Sequence, residues 1–170
     1  MLIDRARIKD KTEFVLNAMK LTSPMNTTTI EKAVNDIGGV ILYKDMVQSG
    51  YVRKISNDKF EISCKKTDSK ERQLFTIAHE IGHLYCHMNF GTEKWNNENE
   101  YNEYFRFGDS INESEANEFA GAFLMPENVF LKYLQDNCSD GNVNINDLAK
   151  YFSLSKDAVL TRGKILGYFK

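Results

Sequence analysis

All three histidines of the chain fall in one stretch, Phe75 to His87, reading FTIAHEIGHLYCH. His79 and His83 stand four residues apart and bracket Glu80. On an α-helix that spacing sets two imidazoles about 40° apart and one turn along the axis. Both can then reach one tetrahedral zinc ion. Glu80 is rotated about 100° from His79, out of the ligand stack but within reach of a water on the metal. A metal acidifies such a water, and a carboxylate beside it can accept the proton. Each letter of H-E-x-x-H thus has a mechanical reason on a helix. His87 continues the i+4 series but lies about 12 Å along the axis from His79. One ion cannot hold all three. The longer H-E-x-x-H-x-x-G-x-x-H pattern also fails, because its glycine and last histidine positions hold Cys86 and Asn89. His87 reads as a helix-end residue at the mouth of a cleft.

The helix that carries these residues needs a face for the core and a face for the site. Leu74, Ile77, Ala78, Ile81, Leu84 and Tyr85 occupy one arc, and the histidines with Glu80 share the other. Gly82 costs such a helix about 1 kcal/mol relative to alanine, so its presence predicts that something packs closely there. A catalytic zinc needs a third protein ligand and an open position. The stretch NESEANEFAGAFLMP, Asn112 to Pro126, can supply the ligand. Its apolar arc is Ala116, Phe119, Ala120, Phe123 and Leu124. Glu113 lies about 50° from the centre of that arc and Glu115 about 110° away. This phase makes Glu113 the third ligand and points Glu115 and Glu118 outward. Asn117, one turn after Glu113, can orient a ligating histidine from behind.

The two segments together, RQLFTIAHEIGHLYCH and ESEANEFAGAFLMP, resemble the ImmA/IrrE family of metallopeptidases. That family pairs an R-x-x-F-T-x-A-H-E-x-G-H helix with an E-x-x-A-N-x-F-A-x-x-L-x-P helix. The resemblance covers roughly residues 27 to 165. It implies a zincin-like α+β fold, with His79, His83 and Glu113 on zinc (or manganese) and Glu80 as general base. It further implies a hydrolase of phage or mobile-element type, acting as an anti-repressor on a helix-turn-helix DNA-binding protein. A metal-containing regulatory protein that binds a repressor or DNA without cleaving it is the alternative. Tyr101, Tyr104, Arg106 and His87 are candidates for contacting substrate or stabilising the oxyanion.

The remaining sequence must position these helices. The 170 residues suit a single domain, residues 1–170, with a helical extension over 1–26. IDRARIKDKTEFVLNAMK and TTTIEKAVNDIGG read as helices, the second opened by cap-type threonines and closed by glycines. VILYKD reads as a strand. GYVRKIS and KFEISCK form a hairpin around Asn57-Asp58, and KFEISCK is expected to receive an extended substrate by strand addition. Helical periodicity returns from about 70 to 87, then at 112–125, 127–136, 145–152 and 156–165. The polar stretch 89–109 reads as a long loop of the kind used as a lid. This order gives an α+β arrangement, a small sheet covered by helices.

Several function classes are excluded. A net charge of −2 offers no general grip on nucleic acid or an anionic membrane. The N-terminus lacks the apolar core of a secretory signal, and no apolar run approaches the roughly 20 residues of a membrane span. Cys64, Cys86 and Cys138 are odd in number and scattered, which predicts free thiols in a reducing cytoplasm. The segment 144–167 has the outline of a helix-turn-helix, but Phe152, Leu154, Val159 and Ile165 fit a packing role better. DNCSDGNVNIND fits a calcium loop poorly, and a turn leading to an asparagine cap is simpler.

Overall fold

In the computed structural model, residues 3–97 and 110–170 are described. Two helices come first, α1 (Arg5–Ala18) and α2 (Thr27–Asp36), followed by β1 (Gly39–Lys44), β2 (Gly50–Ser56) and β3 (Lys59–Lys65). Next come α3 (Lys70–Cys86), the short α4 (Glu93–Asn97) and α5 (Ser110–Leu124). The chain ends with α6 (Glu127–Asn137), α7 (Ile145–Phe152) and α8 (Lys156–Ile165). This is the α+β fold expected of a zincin-like protein.

Local chemistry explains most boundaries. Asp4 caps α1 and Ser69 caps α3, each side chain accepting from a backbone N–H three residues on. The cap of α2 is Asn26, not one of the threonines, and Thr29 completes a capping box with it. Pro126 ends α5 and precedes α6. Asn144 caps α7 through bonds from the N–H groups of Asn146 and Asp147, so the Asp136–Asp147 segment ends in a capped turn. No helix of the described residues is long and apolar enough to cross a membrane.

The sheet order is β1-β3-β2, with β1 parallel and β2 antiparallel to β3. The expected hairpin is present, but its second strand is the central one. Both edges of β3 are already paired, so KFEISCK cannot take a further strand; this overturns the expected strand addition there. The free edge of the hairpin belongs to β2. Phe60, Ile62, Cys64 and Val52 are buried in one core with Leu74, Ile77 and Ile81 of α3 and with Ile30 and Val34 of α2. α5 and α3 pack on each other, and α1 lies against α5.

On the other face of β3, Glu61 is only 4% exposed. It accepts from Lys44 Nζ at 2.6 Å, Arg53 Nη2 at 2.6 Å and Ser63 Oγ at 2.8 Å. Burial alone would push its carboxyl up. The bonds from Arg53, Lys44 and Ser63 outweigh that and hold it at about 2. A carboxylate depressed on folding stabilises the protein above its unfolded value near 4.5, and the stabilisation is lost as pH falls towards 2. The full depression corresponds to at most about 3 kcal/mol. Partial exposure of Lys44 and Arg53 reduces this to roughly 2 kcal/mol. Urea unfolding at pH 6 and pH 3 should therefore show the wild type losing about 1.5 kcal/mol more than Glu61→Gln, the rest of the stabilisation being lost only below pH 3. Parallel losses in the two proteins would remove Glu61 from the acid response.

The long polar stretch after His87 is not all loop. Residues 93–97 form α4, and Trp95 is fully buried, with its Nε1–H donating to Asn57 O at 2.7 Å. One helical turn is too short to show periodicity, and Trp95 is covered in part by the distant β2–β3 hairpin, through Asn57 and Lys54, as well as by nearby Phe90. Tyr101, Tyr104 and Arg106 lie outside the described residues.

In the C-terminal segment, Phe152, Leu154 and Val159 are buried as expected. Arg162 also turns inward, donating from Nε to Met125 O and from Nη1 to Glu118 Oε1. The apolar positions of the helix-turn-helix outline thus lie in the core, with Arg162 tied to α5 and the residue that follows it.

Candidate metal centre

The site is built where α3 and α5 cross. Gly82 marks the point of approach. A Cβ there would lie 3.1 Å from Phe119 Cδ1 and 3.3 Å from Ala116 Cα of α5. The close packing expected beside Gly82 is therefore the ligand-bearing helix itself. α3 differs from a simple two-faced helix, because its polar arc is buried too: His79, Glu80 and His83 are each 5% exposed or less. A site that excludes water on most sides strengthens every electrostatic contact within it.

His79 Nε2 and His83 Nε2 lie 3.0 Å apart. Glu113, whose side chain is 31% exposed, places one carboxylate oxygen 3.4 Å from His79 Nε2 and the other 3.2 Å from His83 Nε2. Among the described residues these three form the group of side chains arranged to hold a metal ion. Their spacing fits zinc. Bonds of 2.0–2.1 Å in a tetrahedron put neighbouring donor atoms about 3.3 Å apart. The donor set also fits, because two neutral imidazoles and a carboxylate leave a fourth position open. Among the described residues no cysteine belongs to this group; burial pushes the Cys64 thiol up to about 12 and the Cys86 thiol up to about 11.

Each histidine is held from behind. Asn117 Oδ1 lies 2.9 Å from His79 Nδ1, so an N–H at Nδ1 donates to the amide oxygen and leaves Nε2 bare. The supporting role expected of Asn117 thus has a matching contact. His83 Nδ1 lies 2.9 Å from His87 Nδ1, and His87 Nε2 lies 3.2 Å from Glu115 Oε2. His87 is therefore engaged within the fold on both ring nitrogens.

Glu115 and Glu118 do not point outward, contrary to the helix-phase reading. They are 7% and 8% exposed. Arg7 Nη2 donates to Glu115 at 2.6 Å, and Arg5 Nε donates to Glu118 at 3.3 Å. The reason is cover from elsewhere in the fold: α1 lies against α5 and supplies Arg7 and Arg5, and Arg162 of α8 donates to Glu118 at 3.2 Å. A pattern of apolar residues on one helix cannot show that a polar face will be covered by another helix. Burial pushes Glu115 up, but the bonds from Arg7 and His87 outweigh it and hold the carboxyl below its ordinary range. Burial lowers His87, with Glu115 opposing.

Glu80 is 1% exposed. β2 begins against it. A Cβ on Gly50 would lie 2.4 Å from Thr76 Cγ2, 2.9 Å from Ser63 O and 3.3 Å from Glu80 Oε1. Only glycine lets the edge strand come this near the carboxylate, a signal that sequence reasoning missed. A cleft of about 900 Å³ opens onto His79, Glu113 and Asn117 and extends past Phe75 and Arg72 to Thr161 on α8.

A sequence model of the IrrE N-terminal-like domain, a peptidase family, matches residues 35–164. The chain belongs to this family. Both helices of the IrrE-like site fall inside the match, and α1 falls outside it. No curated protein sequence gives a significant match. Among solved structures, a Mycobacterium tuberculosis transcriptional regulator shares the fold, with a TM-score of 0.61 and 14% identity. The likeness covers 92% of this chain and 46% of that one, so this chain spans about half its length. The IrrE-like family implies a metallopeptidase-type architecture, and the His79, His83 and Glu113 cluster is where a metal would sit.

Proposed function

We propose that this protein is a zinc-dependent endopeptidase of ImmA/IrrE type that cleaves a helix-turn-helix DNA-binding repressor. The observation that carries the reading is the donor triangle of 3.0, 3.2 and 3.4 Å among His79, His83 and Glu113, with Glu80 beside it on α3. A bound zinc would act as a Lewis acid towards a peptide carbonyl and make water a better nucleophile at neutral pH. The chain's own residues would do the rest. His79, His83 and Glu113 hold the ion and leave a position open. Asn117 orients His79. Glu80 takes the proton of the attacking water and passes it to the leaving amine. The edge strand β2 starts at Gly50, against Glu80, and the cleft runs away from the centre towards α8, so an extended segment has room to lie across the site.

We place the whole of 1–170 in one catalytic unit, with α1 as an extension packed on α5 and with α7 and α8 as scaffold. The match to a transcriptional regulator fits a role in gene control but comes from a protein about twice as long. We further place the protein in the cytoplasm, where such a repressor would be met. The test is to incubate the zinc-loaded protein with the repressor encoded beside its gene and read intact masses. One new pair of fragments, absent after chelation, is expected. A repressor that binds and stays whole would favour the non-cleaving regulatory reading.

A further inference from the structure

Three side chains stand in a row behind one candidate ligand, His83. Arg7 of α1 donates to Glu115 of α5 at 2.6 Å, Glu115 lies 3.2 Å from His87 Nε2, and His87 Nδ1 lies 2.9 Å from His83 Nδ1. The direction of the bonds follows from the chemistry of the far end. A guanidinium only donates, and a carboxylate only accepts. His87 must therefore donate to Glu115 from Nε2. A neutral ring with its hydrogen on Nε2 has a bare Nδ1, which accepts from His83 Nδ1–H. His83 Nε2 is then bare and faces His79 Nε2 and Glu113. The opposite order would put a hydrogen on His83 Nε2, where it blocks an ion.

We propose that Arg7, Glu115 and His87 form a positioning chain that holds His83 in the tautomer able to bind a metal and so sets the affinity of the site. The inference rests on the metal-site reading above. It gives α1, which lies outside the family match, a task at the centre of the protein. It also replaces the candidate role of His87 at the substrate with one behind the ligand. A histidine that binds a metal commonly donates its other N–H to an outer partner, and losing that partner weakens binding by about 10–100-fold. Here the partner is a second histidine, itself held by an ion pair.

The test uses zinc competition with a chromophoric chelator for the wild type, His87→Leu, His87→Gln and Arg7→Met. It adds imidazole ¹⁵N spectra of the metal-free wild type. His87→Leu should weaken zinc by about 10–100-fold. His87→Gln should recover most of the loss, because its carbonyl can accept from His83 while its NH₂ donates to Glu115. Arg7→Met should fall between them. The spectra should place the His83 hydrogen on Nδ1. Zinc affinity in His87→Leu and Arg7→Met equal to wild type would overturn the positioning chain alone, as would a His83 hydrogen on Nε2. A wild type that binds no zinc would overturn the metal-site reading and the chain with it. Arg7 is half-exposed near the start of α1, so Arg7→Met and the wild-type spectra decide the matter even where His87→Leu does not fold.

Discussion

Glu80→Gln is expected to abolish peptide cleavage and leave zinc binding intact. The amide has the size of the carboxylate and fits the same space beside Gly50 and Thr76. It cannot take a proton from the attacking water. Loss of a general base costs about 10²–10⁴ in rate, which is enough to take slow proteolysis below detection. Glu80 points away from the ligand stack by the geometry of its helix, about 100° from His79, so the donor triangle stays as it is. Zinc content after gel filtration and fragment yield from the repressor, measured on the same preparations, separate the two effects. Undiminished cleavage by the zinc-loaded variant would remove Glu80 as base. Undiminished biological activity without cleavage would favour a binding role.

Glu113→Ala should lose zinc under mild chelation, by much more than any outer partner. Glu113 brings an oxygen within 3.2–3.4 Å of both Nε2 atoms, so its removal leaves two ligands where a catalytic zinc takes three. Glu115→Ala is the informative comparison. Read as an exposed carboxylate, Glu115 should be replaceable at little cost. Bonded to Arg7 and His87, its loss should weaken zinc within the roughly 10–100-fold range of outer-partner variants. The order of affinities should therefore be wild type, Glu115→Ala, then Glu113→Ala. Retention of zinc by Glu113→Ala with its loss from Glu115→Ala would reverse the ligand assignment.

The features legible in the sequence are those set by short-range geometry. The i, i+4 spacing of His79 and His83 meets at one point on any α-helix. The phase of Ala116, Phe119, Ala120, Phe123 and Leu124 on α5 brings Glu113 to the partner helix. Gly82 announced a close approach, and it is α5 that approaches. Proline and glycine punctuation and side-chain caps set most element boundaries to within a few residues. Each of these depends on neighbours within about one helical turn or one hairpin.

Strand order does not depend on neighbours in that way. A hairpin from β2 to β3 is compatible with β1 beside either strand, and the choice made β3 central and closed it to a substrate. Nor does the burial of α5. Its acidic arc reads as solvent-facing until α1, about a hundred residues earlier, lays Arg5 and Arg7 across it. The same contact turns His87 from a helix-end residue into the link between Arg7 and His83. Sequence by itself determined which residues meet along one helix, because 3.6 residues per turn leaves little freedom. Which polar faces are covered, and by what, was decided only by tertiary structure, because burying a carboxylate is tolerable only beside a partner that the fold brings from elsewhere.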